Sequence, residues 1–356
     1  GKLGIATGKG LPELVKESLK IKKFVLPYWI GAEAAAAATD LAEYLGTVIA
    51  LNILFQIPLL YAAVFGALDV ILLLVLARER FRIIEYFFMV LVSIIGIGFL
   101  YEVLLIQPSF SSIAYHSVVA SVNSATILYV VGIVGATVMP HALFVHSSLT
   151  KDKLSALTKG TLEDKRRHRS LHLREVIITL TIASLVNAAI LVSAAAVLYP
   201  QYHAAGEDID VNHYVLILQP IYGYLAGAVF AVTLLASGLA SSTTGTLAGQ
   251  AIMDGLLGRK ISKTFRRVVT RVINVFPTTV AILIGLNPFS LLVYSQVVLS
   301  LMIPLPMIPL IFYTRRRDLM GEFANRKITN VLAVGAATVI LALNAYLIVT
   351  KLLGLG

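Results

Sequence analysis

The stretch Gly132-Ile-Val-Gly135-Ala136-Thr137-Val138-Met139-Pro140-His141-Ala142-Leu143-Phe144-Val145-His146 decides the fold. It is apolar enough to cross a bilayer, yet a proline stands at its middle. Pro140 has no N–H and its ring clashes with the preceding turn, so the carbonyl near Ala136 loses its helical partner. In lipid, interrupted backbone survives only where it is buried in protein or lines a watery cavity, and the broken helices of transporters use such carbonyls to hold ions. Met139 adds a thioether beside the break. Thioethers suit softer transition metals, whereas Mg²⁺ and Ca²⁺ prefer an all-oxygen shell. His141 and His146 are ionisable groups on an intramembrane helix, which usually face a pathway, and histidine titrates where a proton relay works. An ordinary kink would account for Pro140 alone and packing for Met139 alone; together the four residues favour a functional reading.

Outward from this segment, apolar stretches alternate with short polar gaps. A helix needs about 20 apolar residues to span the hydrocarbon core, and nine segments qualify: 24–55, 57–77, 83–106, 124–149, 175–199, 220–257, 268–286, 289–313 and 328–353. Backbone groups cannot go unpaired in lipid, so these spans are expected to be helices, giving an all-α membrane protein. Of 29 Lys and Arg, six fall in residues 1–23, three in 78–82, eight in 151–174, six in 259–271 and five in 315–327. Only Lys351 escapes the pattern, and the intervening gaps carry none. Cytoplasmic loops accumulate these residues, which predicts that the basic loops, and the start of the chain, are cytoplasmic. The run Lys165-Arg166-Arg167-His168-Arg169 reads as a solvated surface there.

Composition agrees. With 58% hydrophobic and 13% charged residues, 356 residues cannot cover a soluble globule with polar surface, so lipid is the expected solvent. The net charge of +10 sits in loops facing anionic headgroups, which argues against nucleic acid. The absence of cysteine excludes disulfides and thiolate chemistry.

The first apolar helix carries Glu33, Asp40 and Glu43, whose spacings of seven and three place them on one face. A carboxylate stripe cannot face lipid, so it serves either as a proton or cation route or as a partner for basic residues. Arg266, Arg267 and Arg271 are the obvious counter-charge, or else part of the orientation signal. Asp69, Asn187 and Asn344 read as interhelical hydrogen-bonding groups, and the small residues from Ser237 to Thr246 as a close-packing face. The amide oxygen of Gln296 could join an ion's shell. His116, His203 and His213 fall in outer loops and read as exposed. Ala38-Thr-Asp-Leu-Ala-Glu43 is faintly echoed by Ala236-Ser-Gly-Leu-Ala-Ser241, five helices later and therefore in the opposite sense, as in inverted-repeat transporters.

At Met139-Pro140-His141 the chain resembles the natural resistance-associated macrophage protein (Nramp) family of divalent metal transporters. The resemblance also rests on Lys2-Leu-Gly-Ile-Ala-Thr-Gly-Lys9, Ala38-Thr-Asp-Leu-Ala-Glu43, His146-Ser147, Leu235-Ala-Ser-Gly238 with Gly245-Thr-Leu-Ala-Gly-Gln250, and Ser295-Gln-Val-Val-Leu-Ser300, in family order. It implies a LeuT-like fold of two inverted five-helix repeats with further helices after them, in one transporter domain. It also implies proton-coupled import of Mn²⁺ or Fe²⁺, with Cd²⁺ and Co²⁺ as further substrates, and no cofactor. By resemblance, the Ala136 carbonyl and Met139 bind the metal and Gln296 joins in some states. His141, Asp40, Glu43, Arg266, Arg267 and Arg271 line or tune the proton route, with His146 nearby and Thr39 in support. The family's Asp-Pro-Gly-Asn motif does not occur in this sequence. By this alignment the visible spans are family helices three to eleven, and the chain is expected to be a fragment whose site the first two helices would complete. The expected location is the plasma membrane of a prokaryote.

Three rivals remain. An amino-acid or other organic-solute carrier could share the scaffold, although Met139 would have little use there. A non-transporting membrane protein is the second. An enzyme is the third, but no nucleophile-base pair, phosphate loop or closed ligand cluster supports it.

Overall fold

Lipid leaves backbone N–H and C=O groups no partner but each other, and every regular element among the described residues of the computed structural model is accordingly helical. The structure describes residues 1–19, 22–68, 81–119, 122–124, 126–157, 160–205, 223–258 and 262–354. In chain order the helices are α1 (Lys2–Thr7), α2 (Leu11–Ser18), α3 (Val25–Phe55), α4 (Leu59–Gly66), α5 (Phe81–Ile106) and α6 (Phe110–Val118). There follow α7 (Ile127–Thr137), α8 (Pro140–Leu157), α9 (Leu162–Ala205), α10 (Tyr224–Leu257), α11 (Lys263–Leu283), α12 (Pro288–Met302), α13 (Pro304–Arg315), α14 (Arg317–Met320) and α15 (Lys327–Leu352).

Among the described residues seven segments are long and apolar enough to cross a membrane: α3, the distal part of α5, α7 with α8, α9, the first half of α10, α12 with α13, and α15. The expected span 57–77, with Asp69, falls partly in 69–80, outside the described residues. Helix α11 is described but begins with Lys263, Arg266, Arg267 and Arg271, which dilutes its apolar content. On α9, Ile177 is 57% and Leu185 66% exposed, as lipid-facing side chains should be.

Two features of the helices differ from the expected boundaries. The connection 151–174 is not an irregular loop: α8 runs on to Leu157, and α9 starts at Leu162 and continues unbroken for 44 residues. A reciprocal cap starts α9. Thr161 N–H donates to Asp164 Oδ2 at 3.1 Å and Asp164 N–H donates to Thr161 Oγ1 at 3.2 Å. Arg166, Arg167 and Arg169 stay exposed on this helical extension. The expected single span 289–313 is divided at Ile303 into α12 and α13. Pro304 has no N–H to return to the Ser300 carbonyl. The Ser300 carbonyl is met instead by the Ile303 N–H at 3.2 Å and by Asn344 of α15, whose Nδ2 donates to it at 2.9 Å while its Oδ1 accepts from Ser300 Oγ at 2.8 Å.

Helix α3 is the central post, packed against α10 and α12. Contact with α10 is close because α10 presents glycine where α3 presents polar atoms. A Cβ on Gly238 would stand 2.4 Å from Thr47 Oγ1 and 3.0 Å from the Glu43 carbonyl oxygen. Glycine therefore lets the two backbones approach, as small residues do between membrane helices. At one end, Leu3, Leu11, Leu14 and Val15 of the two short N-terminal helices share a core with Phe144, Ile252, Leu256 and Tyr313. Polar ties fix them there: Leu11 N–H donates to Ser147 Oγ at 2.8 Å, and Lys151 Nζ donates to Glu13 Oε1 at 2.7 Å. Nearby, Arg166 clasps Glu322 through two hydrogen bonds of 2.8 and 2.6 Å, which hold the Glu322 carboxyl below its usual range.

Asn344→Ala is expected to remove both bonds to Ser300, leaving its carbonyl with the Ile303 N–H alone, and to lower stability by about 1–2 kcal/mol. Thermal unfolding in detergent checks this; a melting temperature equal to the parent's would show that the tie contributes nothing.

Candidate functional site

The helix at the centre of the sequence argument ends at Thr137 and restarts at Pro140, leaving Val138 and Met139 between. Val138 turns out of the helix at φ −104°, ψ 76°, still donating to the Val134 carbonyl at 2.8 Å. Ala136 and Thr137 are exposed, Met139 is half-buried and Pro140 is buried. The break thus presents a carbonyl whose i+4 neighbour is Pro140, followed three residues later by a thioether.

Gln296 is brought to this break by a missing side chain. A Cβ on Gly135 would lie 1.9 Å from the Gln296 carbonyl oxygen and 2.7 Å from Ser300 N. Only glycine allows α7 and α12 so close. Half-buried Gln296 donates through Nε2 to Ser295 Oγ at 3.3 Å, which leaves its amide oxygen available to a ligand. Asn187 of α9 reaches the other side of the break, with Nδ2 3.3 Å from Thr137 Oγ1. Sequence reasoning treated Asn187 as a generic interhelical group; nothing local to it pointed to the break as its partner.

Immediately past the break, His141 is 2% exposed and Thr39 of α3 equally buried. Thr39 Oγ1 donates its one proton to the Ala35 carbonyl at 3.1 Å. It therefore accepts from His141, whose Nδ1 lies 2.9 Å away. That assignment puts the imidazole proton on Nδ1 and leaves Nε2 as the group able to take another. Asp40 and Glu43 follow Thr39 on α3, half-buried against Gly245 of α10. A Cβ there would stand 2.1 Å from Asp40 Oδ1 and 3.6 Å from Glu43 Oε2. Glu33 is half-buried on the same helix.

The other expected residues divide. Arg266, Arg267 and Arg271 lie on α11, which packs on α3 and α4, but their side chains are outside the described residues. His146 is exposed, five residues beyond His141, and faces His172 of α9 rather than the acidic pair. His116 is exposed; the side chains of His203 and His213 lie outside the described residues. Among the described residues no group of three or more His, Cys, Asp or Glu side chains forms a ready metal shell. At the break the chain instead carries the Ala136 carbonyl and the Met139 thioether, with the Gln296 backbone against Gly135, a set with a soft member.

The chain is similar to known proteins over nearly its whole length. The family model described as natural resistance-associated macrophage protein-like matches residues 1–350. A divalent metal cation transporter MntH of Granulibacter bethesdensis is 39% identical over 352 residues, 98% of this chain and 76% of the relative. The MntH of Deinococcus radiodurans is 38% identical over 346 residues, 97% of this chain and 77% of the relative. Among solved structures, a mutant of the manganese transporter of Eremococcus coleocola superposes with a TM-score of 0.77 at 30% identity, covering 96% of this chain and 74% of its own.

Thr39→Val should leave the buried His141 Nδ1–H without its acceptor and lower stability by about 1–3 kcal/mol, whereas Thr39→Ser keeps the bond. Melting curves of the two variants check this; equal values for valine and serine would remove the hydroxyl from the account.

Proposed function

The chain belongs to the natural resistance-associated macrophage protein family, and from that premise we propose that it imports Mn²⁺ or Fe²⁺ coupled to protons, by alternating access. It is an integral membrane protein of LeuT-like fold, a divalent metal ion transporter and not an enzyme. The finer reading is supported by one observation: the helix is interrupted at Val138–Met139, next to Ala136, where Gly135 packs against the backbone of Gln296. The carbonyl and amide oxygens accept any divalent ion. The thioether gains more from Mn²⁺, Fe²⁺, Co²⁺ or Cd²⁺ than from Mg²⁺ or Ca²⁺.

In this reading the proton takes a separate route. His141 accepts it at Nε2, Thr39 holds the ring in register, and Asp40 and Glu43 carry it along α3. Arg266, Arg267 and Arg271 of α11 balance the carboxylates. Keeping the two charges apart lets each drive the other without sharing ligands. The basic loops mark the cytoplasmic side, and the plasma membrane of a prokaryote is the assigned location. An organic-solute carrier on the same scaffold is disfavoured by Met139, since a substrate ammonium or carboxylate gains nothing from sulfur.

Acid-stimulated Mn²⁺ uptake by the full natural protein in proteoliposomes, with excess Mg²⁺ as competitor, tests this. Met139→Ala should erode the preference for Mn²⁺ by about ten-fold, ~1.4 kcal/mol. Folded parent protein that moves no Mn²⁺ would sink the reading, and uptake indifferent to pH would sink its proton-coupled part.

A further inference from the structure

Seven residues beyond Met139, on the stretch of α8 leading to the basic connection, a second pair of nitrogen ligands faces one another. His146 Nε2 lies 3.1 Å from His172 Nε2, with ring centroids 4.9 Å apart and planes inclined at 59°. Seven helical residues span about 10 Å, so the pair is well separated from the break. Two imidazole nitrogens bound to one tetrahedral ion at about 2.0–2.1 Å stand roughly 3.3–3.4 Å apart. The rings need to open by only a few tenths of an ångström to admit one.

The surroundings support a ligand role. His172 turns Nε2 to His146 and Nδ1 towards Glu175, whose Oε2 is 3.9 Å away. At that distance the carboxylate, which also lies 3.7 Å from Lys153 Nζ, acts on the ring by charge and not by a hydrogen bond, a looser form of the carboxylate companion usual for metal-binding histidine. The two rings come from different helices, α8 and α9, so the pair exists only in the folded chain. Gly1 packs against His172 Nε2, where a Cβ on it would stand 1.8 Å away, so water reaches the pair from the side of exposed His146.

We propose that His146 and His172 form a second binding site for a divalent transition-metal ion, distinct from the break at Met139 and placed where an ion leaves it towards the basic side. The site rests on the metal-transport reading for its role but not for its existence. Two imidazoles and water select Co²⁺, Zn²⁺, Ni²⁺ or Fe²⁺ over Mg²⁺ and Ca²⁺. A weak two-ligand site can receive an ion from the break and still release it.

Titration of the full natural protein with Co²⁺ in detergent, followed by calorimetry and visible absorption, tests the site. The parent should bind Co²⁺ at two sites. His146→Gln and His172→Gln should each remove one of them, while Met139→Ala leaves the histidine site in place. Glu175→Gln, which touches neither ligating nitrogen, should weaken that site by about ten-fold or more. Equal Co²⁺ occupancy in the parent and in both histidine variants, all melting alike, would overturn the proposal and leave the pair sharing only a proton. Loss of the second Co²⁺ with no Mn²⁺ uptake by the parent would keep the site and reject the transport reading. Intact uptake with no histidine-dependent Co²⁺ would do the reverse.

Discussion

A carbonyl stripped of its helical partner by proline is the constraint from which the rest of this structure follows. In lipid such a group must find another donor or face a polar ligand. The chain resolves the problem in both ways. At Pro304 the Ser300 carbonyl is closed off by Asn344 from a neighbouring helix. At Pro140 the helix turns out, Ala136 and Thr137 are exposed, and a thioether follows. The contrast separates a structural break from a site: both have prolines, but only one is plugged by protein.

Around the open break the molecule divides its labour. Helix α3 supplies Thr39, Asp40 and Glu43 from a long, regular helix held against α10 at Gly238 and Gly245. The interrupted helices, α7 with α8 and α12 with α13, carry Ala136, Met139 and Gln296. His141 joins the two, because it begins the second half of a broken helix yet bonds to Thr39 of the unbroken one.

Sequence alone conveyed whatever depends on a residue's own chemistry or its near neighbours. Helical class followed from length and hydropathy, the break from Pro140, and the carboxylate face of α3 from spacing. The long helix α9 was hidden because its cap, Thr161 with Asp164, opens a highly charged segment that reads as loop by composition. The division of α12 from α13 was hidden although Pro304 is plain to see, since its consequence depends on Asn344, forty-four residues from Ser300. His172 drew no notice, being a histidine in a basic run whose meaning comes only from His146 opposite. Gly135 and Gly245 were visible as small residues, but what each one makes room for is a fact of the folded chain.

The contact at Gly135 carries a further consequence. With the Gln296 carbonyl oxygen 1.9 Å from where a Cβ would stand, the gap between the two opened helices is set by main-chain atoms, not by adjustable side chains. The contact is therefore gauged like a fixed-bore fitting: no rotamer change can relax it, and substitution cannot loosen it a little at a time, because the smallest step beyond glycine is a whole methyl group.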